Sequence, residues 1–144
     1  MSCSQDCGKL GKAALAAIVL RAALAYLVHS VLLNGIYSRP HYATLWNPMD
    51  VMKSRMPAML LSHVLFGFAF ALIYTRGYEE SKPPLGQGLR YGFWMGLFFA
   101  TGTLIQYAVY PVSIRLMGAW ILDDVVSCMI IGAAVALLYK PQPH

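Results

Sequence analysis

Arg21, His29, His63, Gln106, Asp123 and Asp124 stand inside long apolar runs; the histidines and aspartates can take up protons, and the arginine and glutamine can bond to charged or polar groups. Ionisable groups at membrane depth are costly unless partnered, and they commonly mark relays, pockets or ion paths. Counted at about 1.5 Å per residue from the outer end of each run, His29 and Gln106 lie about 6 Å deep. His63 falls at about 10 Å, and Asp123 and Asp124 at about 11–12 Å, by the same count. Every run therefore contributes a polar group to the outer half of the bilayer, whichever way the chain is oriented. Such a layer suits reversible proton uptake and the binding of a polar solute. Neighbouring residues on a helix point about 100° apart, so Asp123 and Asp124 cannot face each other as a carboxyl dyad. Asp124 shares a stripe with Cys128, Gly132 and Ala136 and is expected between helices, with Asp123 turned toward water near the mouth or paired elsewhere. Arg21, about 12 Å from the inner end of its run, is long enough to reach toward Asp124.

A second pattern meets this layer. Met49, Met52, Met56, Met59 and His63 recur at helical spacing. Thioethers with an imidazole can hold Cu(I), although the same stripe also makes ordinary packing surface. His29 and His63, on different helices, would be the axial pair of a bundle-bound haem. A membrane enzyme acting on lipid or quinone has less support, since no nucleophile elbow, HExxH or phosphate-binding loop is present. For that class, His29 or His63 beside Asp123 is the available general base.

The elements that must position these residues are four apolar runs, 13–33, 56–74, 91–110 and 116–139. Each is long enough to cross a hydrocarbon core of roughly 30 Å. The 144-residue chain is 58% hydrophobic and only 12% charged, which excludes an ordinary soluble domain. The expected fold is all-α: an integral membrane, antiparallel four-helix bundle spanning 13–139 between short tails, 1–12 and 140–144. A net charge of +5 comes from scattered Lys and Arg that form no basic stripe, so nucleic acid is not an expected partner. The lipid bilayer is. Lys9, Lys12, Arg76, Lys82, Arg90 and Lys140 against Arg39, Lys53, Arg55 and Arg115 favours both termini in the cytoplasm. Tyr74, Tyr91 and Tyr139 mark the inner boundary, and Tyr37, Tyr110 and Trp120 the outer one.

Lys9, Lys12 and the Ala-Leu-Ala at 23–25 resemble a cleaved signal, but Arg21 interrupts the apolar stretch, which then resumes. The segment is read as the first helix. Cys3, Cys7 and Cys128 form no disulfide framework. The one long connection, 36–55, should carry a short interfacial helix capped by Asn47 with Pro48 in its first turn, running on to a bend at Pro57. Residues 77–88 read as a solvated turn. Gly88, Gly92, Gly96 and Ala100 form a small-residue face on the third helix, matched by Cys128, Gly132 and Ala136 on the fourth and by His63, Gly67 and Ala71 on the second. Close helix contact within the chain, a homo-oligomer or docking in a larger complex would each use such a face. The functional expectation is a small transporter or accessory subunit, in whose transport form His63, Gln106 and Asp124 line an outward pocket.

Overall fold

A backbone in hydrocarbon must satisfy its own hydrogen bonds, which commits apolar runs of this length to helices. The computed structural model describes residues 3–139, and only the backbone of 3–6 and 43. The Cys3 side chain and the tail 140–144 lie outside the described residues. α1 spans Cys3–Ala25 and continues unbroken into a π-helical stretch, Tyr26–Leu32. Three short helices follow: α2 (Asn34–Tyr37), α3 (Pro40–Ala43) and α4 (Met49–Ser54). The long helices α5 (Met56–Arg76), α6 (Pro84–Val109) and α7 (Ile114–Tyr139) complete the chain. No strand occurs among the described residues. Cys7–Leu32, α5, α6 and α7 are each long and apolar enough to cross a membrane, so this is a small multi-pass helical membrane protein. The α2–α4 segment lies at one end of the bundle, the long-loop side, and Tyr74, Tyr91 and Tyr139 meet at the other.

Helix ends depart from the apolar runs where polar residues support a helix. α1 takes in residues expected as a tail. α6 starts at Pro84, a residue suited to a first turn, and the buried Gln87 amide ties that turn down. Gln87 Oε1 accepts the Glu79 N–H at 2.9 Å, while Nε2 donates to the carbonyls of Glu79 and Lys82 at 2.8 and 2.9 Å. α7 starts at Ile114 because Ser113 Oγ accepts the Leu116 N–H at 3.2 Å, an N-cap bond. Asn47 does not cap α4: Pro48 holds the cap position and no side chain bonds there. The chain breaks at Arg55, not Pro57, which falls in the first turn of α5 where its missing N–H costs nothing.

Small residues set the close contacts. A Cβ on Gly88 or Gly132 would collide with the other's carbonyl oxygen, and one on Gly92 with that of Cys128. On Gly96 it would lie 2.5 Å from Val125 Cα. The face of α6 that carries Gly88, Gly92 and Gly96 is therefore filled by α7. Gly67 and Ala71 of α5 meet α1, whose Ala13, Ala14 and Ala17 are buried; a Cβ on Gly67 would come 2.7 Å from the Ile18 nitrogen. α5 and α6, by contrast, are spaced by rings: Phe66–Phe99 at 5.4 Å, Phe70–Tyr91 at 4.7 Å and Tyr74–Tyr91 at 5.4 Å. Tyr91 also donates to the Phe70 carbonyl at 2.7 Å. These rings fill the half toward the termini. Toward the long-loop side α5 is exposed throughout 56–62, and the bundle opens.

Candidate functional site

The π-helical stretch is the local feature from which the site is built. Leu33 donates its N–H to the Val28 carbonyl, five residues back, at 2.8 Å. Such widened turns cost hydrogen-bond geometry and recur at functional positions. His29 sits in the middle of this one. Beyond it α2 folds back so that the Tyr37 ring stacks over His29, with centroids 6.1 Å apart and planes 12° from parallel. The loop is pinned from the far end as well. His41 Nε2 donates to the Pro111 carbonyl at 3.2 Å, and the Ser113 N–H donates to the Tyr42 hydroxyl at 3.2 Å. Leu33, Tyr42, Val112 and Leu116 form a small apolar core beneath it.

A continuous polar chain results. Trp120 Nε1 donates to the Tyr37 hydroxyl at 2.8 Å, and that hydroxyl lies 2.7 Å from His29 Nδ1. His29 Nε2 lies 3.6 Å from Asp123 Oδ2, and Ser127 Oγ donates to Asp123 Oδ1 at 2.6 Å. The donors and acceptors along the chain favour one arrangement of protons. The Asp123 carboxylate can only accept, which favours the neutral ring's proton on Nε2, facing it. Nδ1 then accepts the Tyr37 hydrogen, while the Tyr37 oxygen accepts from the indole. Adding a proton reverses the link: Nδ1–H now donates to the Tyr37 oxygen, whose hydrogen must turn elsewhere. His29 is thus a two-state element between a carboxyl that is 5% exposed and a loop tyrosine. Burial, first, and the Asp123 charge push the Tyr37 phenol above its ordinary 10.0, with the Trp120 bond working the other way. The phenol keeps its proton, so Tyr37 does not read as an activated nucleophile.

The polar residues singled out by depth are sorted by the structure into different places. His29 and Asp123 meet. Asp123 is the more enclosed acid, contrary to expectation, because it turns toward His29, and Ser127 one turn on along α7 supplies a bond. Asp124, half-buried, turns to α6 and accepts from Thr103 Oγ1 at 2.7 Å. Arg21 does not pair with Asp124; its guanidinium lies over the Phe66 ring, 5.2 Å from the centroid, where a cation–π contact holds it against α5. His63 is half-buried on α5 and joins neither acid in a hydrogen bond or ion pair. Gln106 lines a separate cavity of about 460 Å³ between the splayed end of α5 and the ends of α6 and α7. Trp46, Met52, Arg55, Met59 and Trp120 face the same space. Of the three residues expected to share a pocket, Gln106 lines this cavity, and His63 and Asp124 do not.

Trp120 joins the two places: its ring walls the cavity and its N–H holds Tyr37. The methionine stripe is interrupted at Arg55, where α4 gives way to α5. Met52 and Met59 reach the cavity, whereas Met56 and His63 do not line it. No group of three or more His, Cys, Asp or Glu fit for a metal ion occurs among the described residues. An axial haem role for His29 would require breaking its contact with Tyr37 or with Asp123. Sequence reasoning missed Ser127, Thr103 and Arg55, and took Tyr37 and Trp120 only as boundary aromatics. The spacing of Ser127, four residues beyond Asp123, was the available signal. Comparison with protein-family models, with curated proteins and with solved structures returns no match for this chain.

Proposed function

We propose that this protein is a small proton-coupled membrane transporter whose proton site is the His29–Asp123 pair. The observation that carries the reading is His29 held between an enclosed carboxyl and Tyr37, with Trp120 shared between Tyr37 and a cavity. Protonation of His29 reverses the Tyr37 link, and the same tyrosine is held by a wall of the cavity. Proton state and cavity shape are then coupled through one hydrogen bond, as a carrier requires. With both termini cytoplasmic, as the Lys and Arg distribution favours, the cavity opens to the outside.

The test uses the full chain in liposomes loaded with a pH-sensitive dye. A panel of organic anions, organic cations and neutral amphiphiles is added under an imposed pH gradient. Wild type should move protons together with members of one class, and Asp123→Asn should move none with any. Circular dichroism and gel filtration confirm that the variant is folded. Failure of every class with wild type, or equal coupled flux in Asp123→Asn, overturns the proposal.

A further inference from the structure

We infer that the cavity beside Trp120 binds a single-chain amphiphile with an anionic head, the head on Arg55 and the chain against Trp46, Trp120, Met52 and Met59. Charge complementarity names the head. Beside the two indoles, Arg55, Asn47, Gln106 and Tyr110 bring polar groups to the lining, and no acid is among them. Arg55 has no ion pair among the described residues. A guanidinium without a counter-ion beside an apolar cavity matches a carboxylate or phosphate, which it can hold with two parallel hydrogen bonds.

Shape and position name the rest. Indole rings and thioethers make an apolar, adaptable wall suited to an alkyl chain. About 460 Å³ is the size of a small-molecule site, enough for one head and one chain but not for a two-chain phospholipid. Met59 lies within the first turn of α5 and Gln106 in the last turn of α6, so the cavity straddles the membrane boundary. That is the level at which an amphiphile's head and chain part company. Met59 is 47% exposed, which leaves the wall reachable from the lipid side. Only in naming this occupant as the solute that moves with protons does the inference rest on the carrier reading; binding itself does not.

The experiment reads tryptophan fluorescence of the full chain in detergent micelles on a Trp94→Phe background, so that Trp46 and Trp120 alone report. The probe is 12-bromododecanoate, whose bromine quenches an adjacent indole. Quenching should saturate, Arg55→Gln should weaken binding roughly tenfold, and Arg55→Lys should keep most of it. The alcohol 12-bromododecanol should bind wild type as weakly as the acid binds Arg55→Gln, and 12-bromododecyl phosphate should bind as the acid does. Equal affinity for acid and alcohol, or no loss of binding in folded Arg55→Gln, overturns the anion site. In nanodiscs, quenching by brominated phosphatidylglycerol that bromododecanoate cannot relieve overturns the single-chain assignment. Saturable binding in a protein whose Asp123→Asn variant still couples protons sinks the carrier reading and leaves the binding site standing; the converse result sinks only the site.

Discussion

At the scale of single residues the informative one is Tyr37, because three groups depend on its hydroxyl in an ordered way. Trp120 needs an acceptor, His29 Nδ1 needs a donor, and only a hydroxyl supplies both. Tyr37→Phe keeps the ring stack and removes both bonds, leaving a half-buried indole N–H and a ring nitrogen unpaired. The expected cost is about 1–3 kcal/mol of stability in detergent. More telling is the Trp120 indole N–H resonance, which should move upfield when its acceptor is lost. An indole signal unmoved in Tyr37→Phe would break the link as described. Thr103 offers a contrast, since its bond to Asp124 lies on the other face of α7. Thr103→Val should leave the indole signal untouched.

At the scale of helices, glycine contacts divide into those that carry the α6–α7 pair and those that do not. Association in lipid lacks a hydrophobic drive and relies on close packing, so a lost contact is not replaced by burial elsewhere. Gly92→Ala would place a methyl group 2.6 Å from Met129 Cα and against the Cys128 carbonyl, with backbone on both sides and nothing able to yield. A loss of about 3 kcal/mol or more is expected. Gly118, on the same α7, has nothing within 4 Å of a built Cβ. There alanine should be neutral or stabilising by about 0.5–1 kcal/mol, through helix propensity alone. Unfolding curves in mixed micelles measure both, and equal effects at the two positions would refute the division.

The same contrast explains what could be read from the chain alone. Span number and the small-residue stripes were legible, because bilayer thickness and helical period act on every residue of a run. Helix ends were less so: α6 starts at Pro84 through a Gln87 contact that no periodicity announces. Within the site, the depth count brought out His29 and Asp123, since rise per residue is fixed. It was blind to the π-helical stretch, which changes the direction of His29 without changing composition. It was equally blind to Arg55, which looks like a flanking charge until a break in the helix turns it toward a cavity.

For the whole molecule, the asymmetry between the two ends matters most. The end near the termini is closed: rings of Phe70, Tyr74 and Tyr91 fill the space between α5 and α6, and a tied turn joins those helices. The long-loop end is open and holds both the relay and the cavity. Under the proposed carrier reading the open end moves against a fixed one, so the tied turn should matter to stability and not to binding. In that turn Glu79 pairs with Lys82 at 2.6 Å and with Arg90 at 3.5 Å. The hydrogen bond from Lys82, then the charges of Lys82 and Arg90, hold the Glu79 carboxyl below its ordinary 4.5. Because the folded value is the lower one, the pair's contribution is complete above the ordinary value and fades as pH falls through the lowered one. The reporter is the Glu79 amide itself, bonded to Gln87 Oε1 at 2.9 Å. Its hydrogen exchange, corrected for intrinsic rate, should quicken on acidification below about pH 4.5 in wild type and lose that step in Glu79→Gln. Bromododecanoate binding to Glu79→Gln, measured at neutral pH, should match wild type. A binding loss in that variant would mean the closed end is not the fixed base that its packing implies.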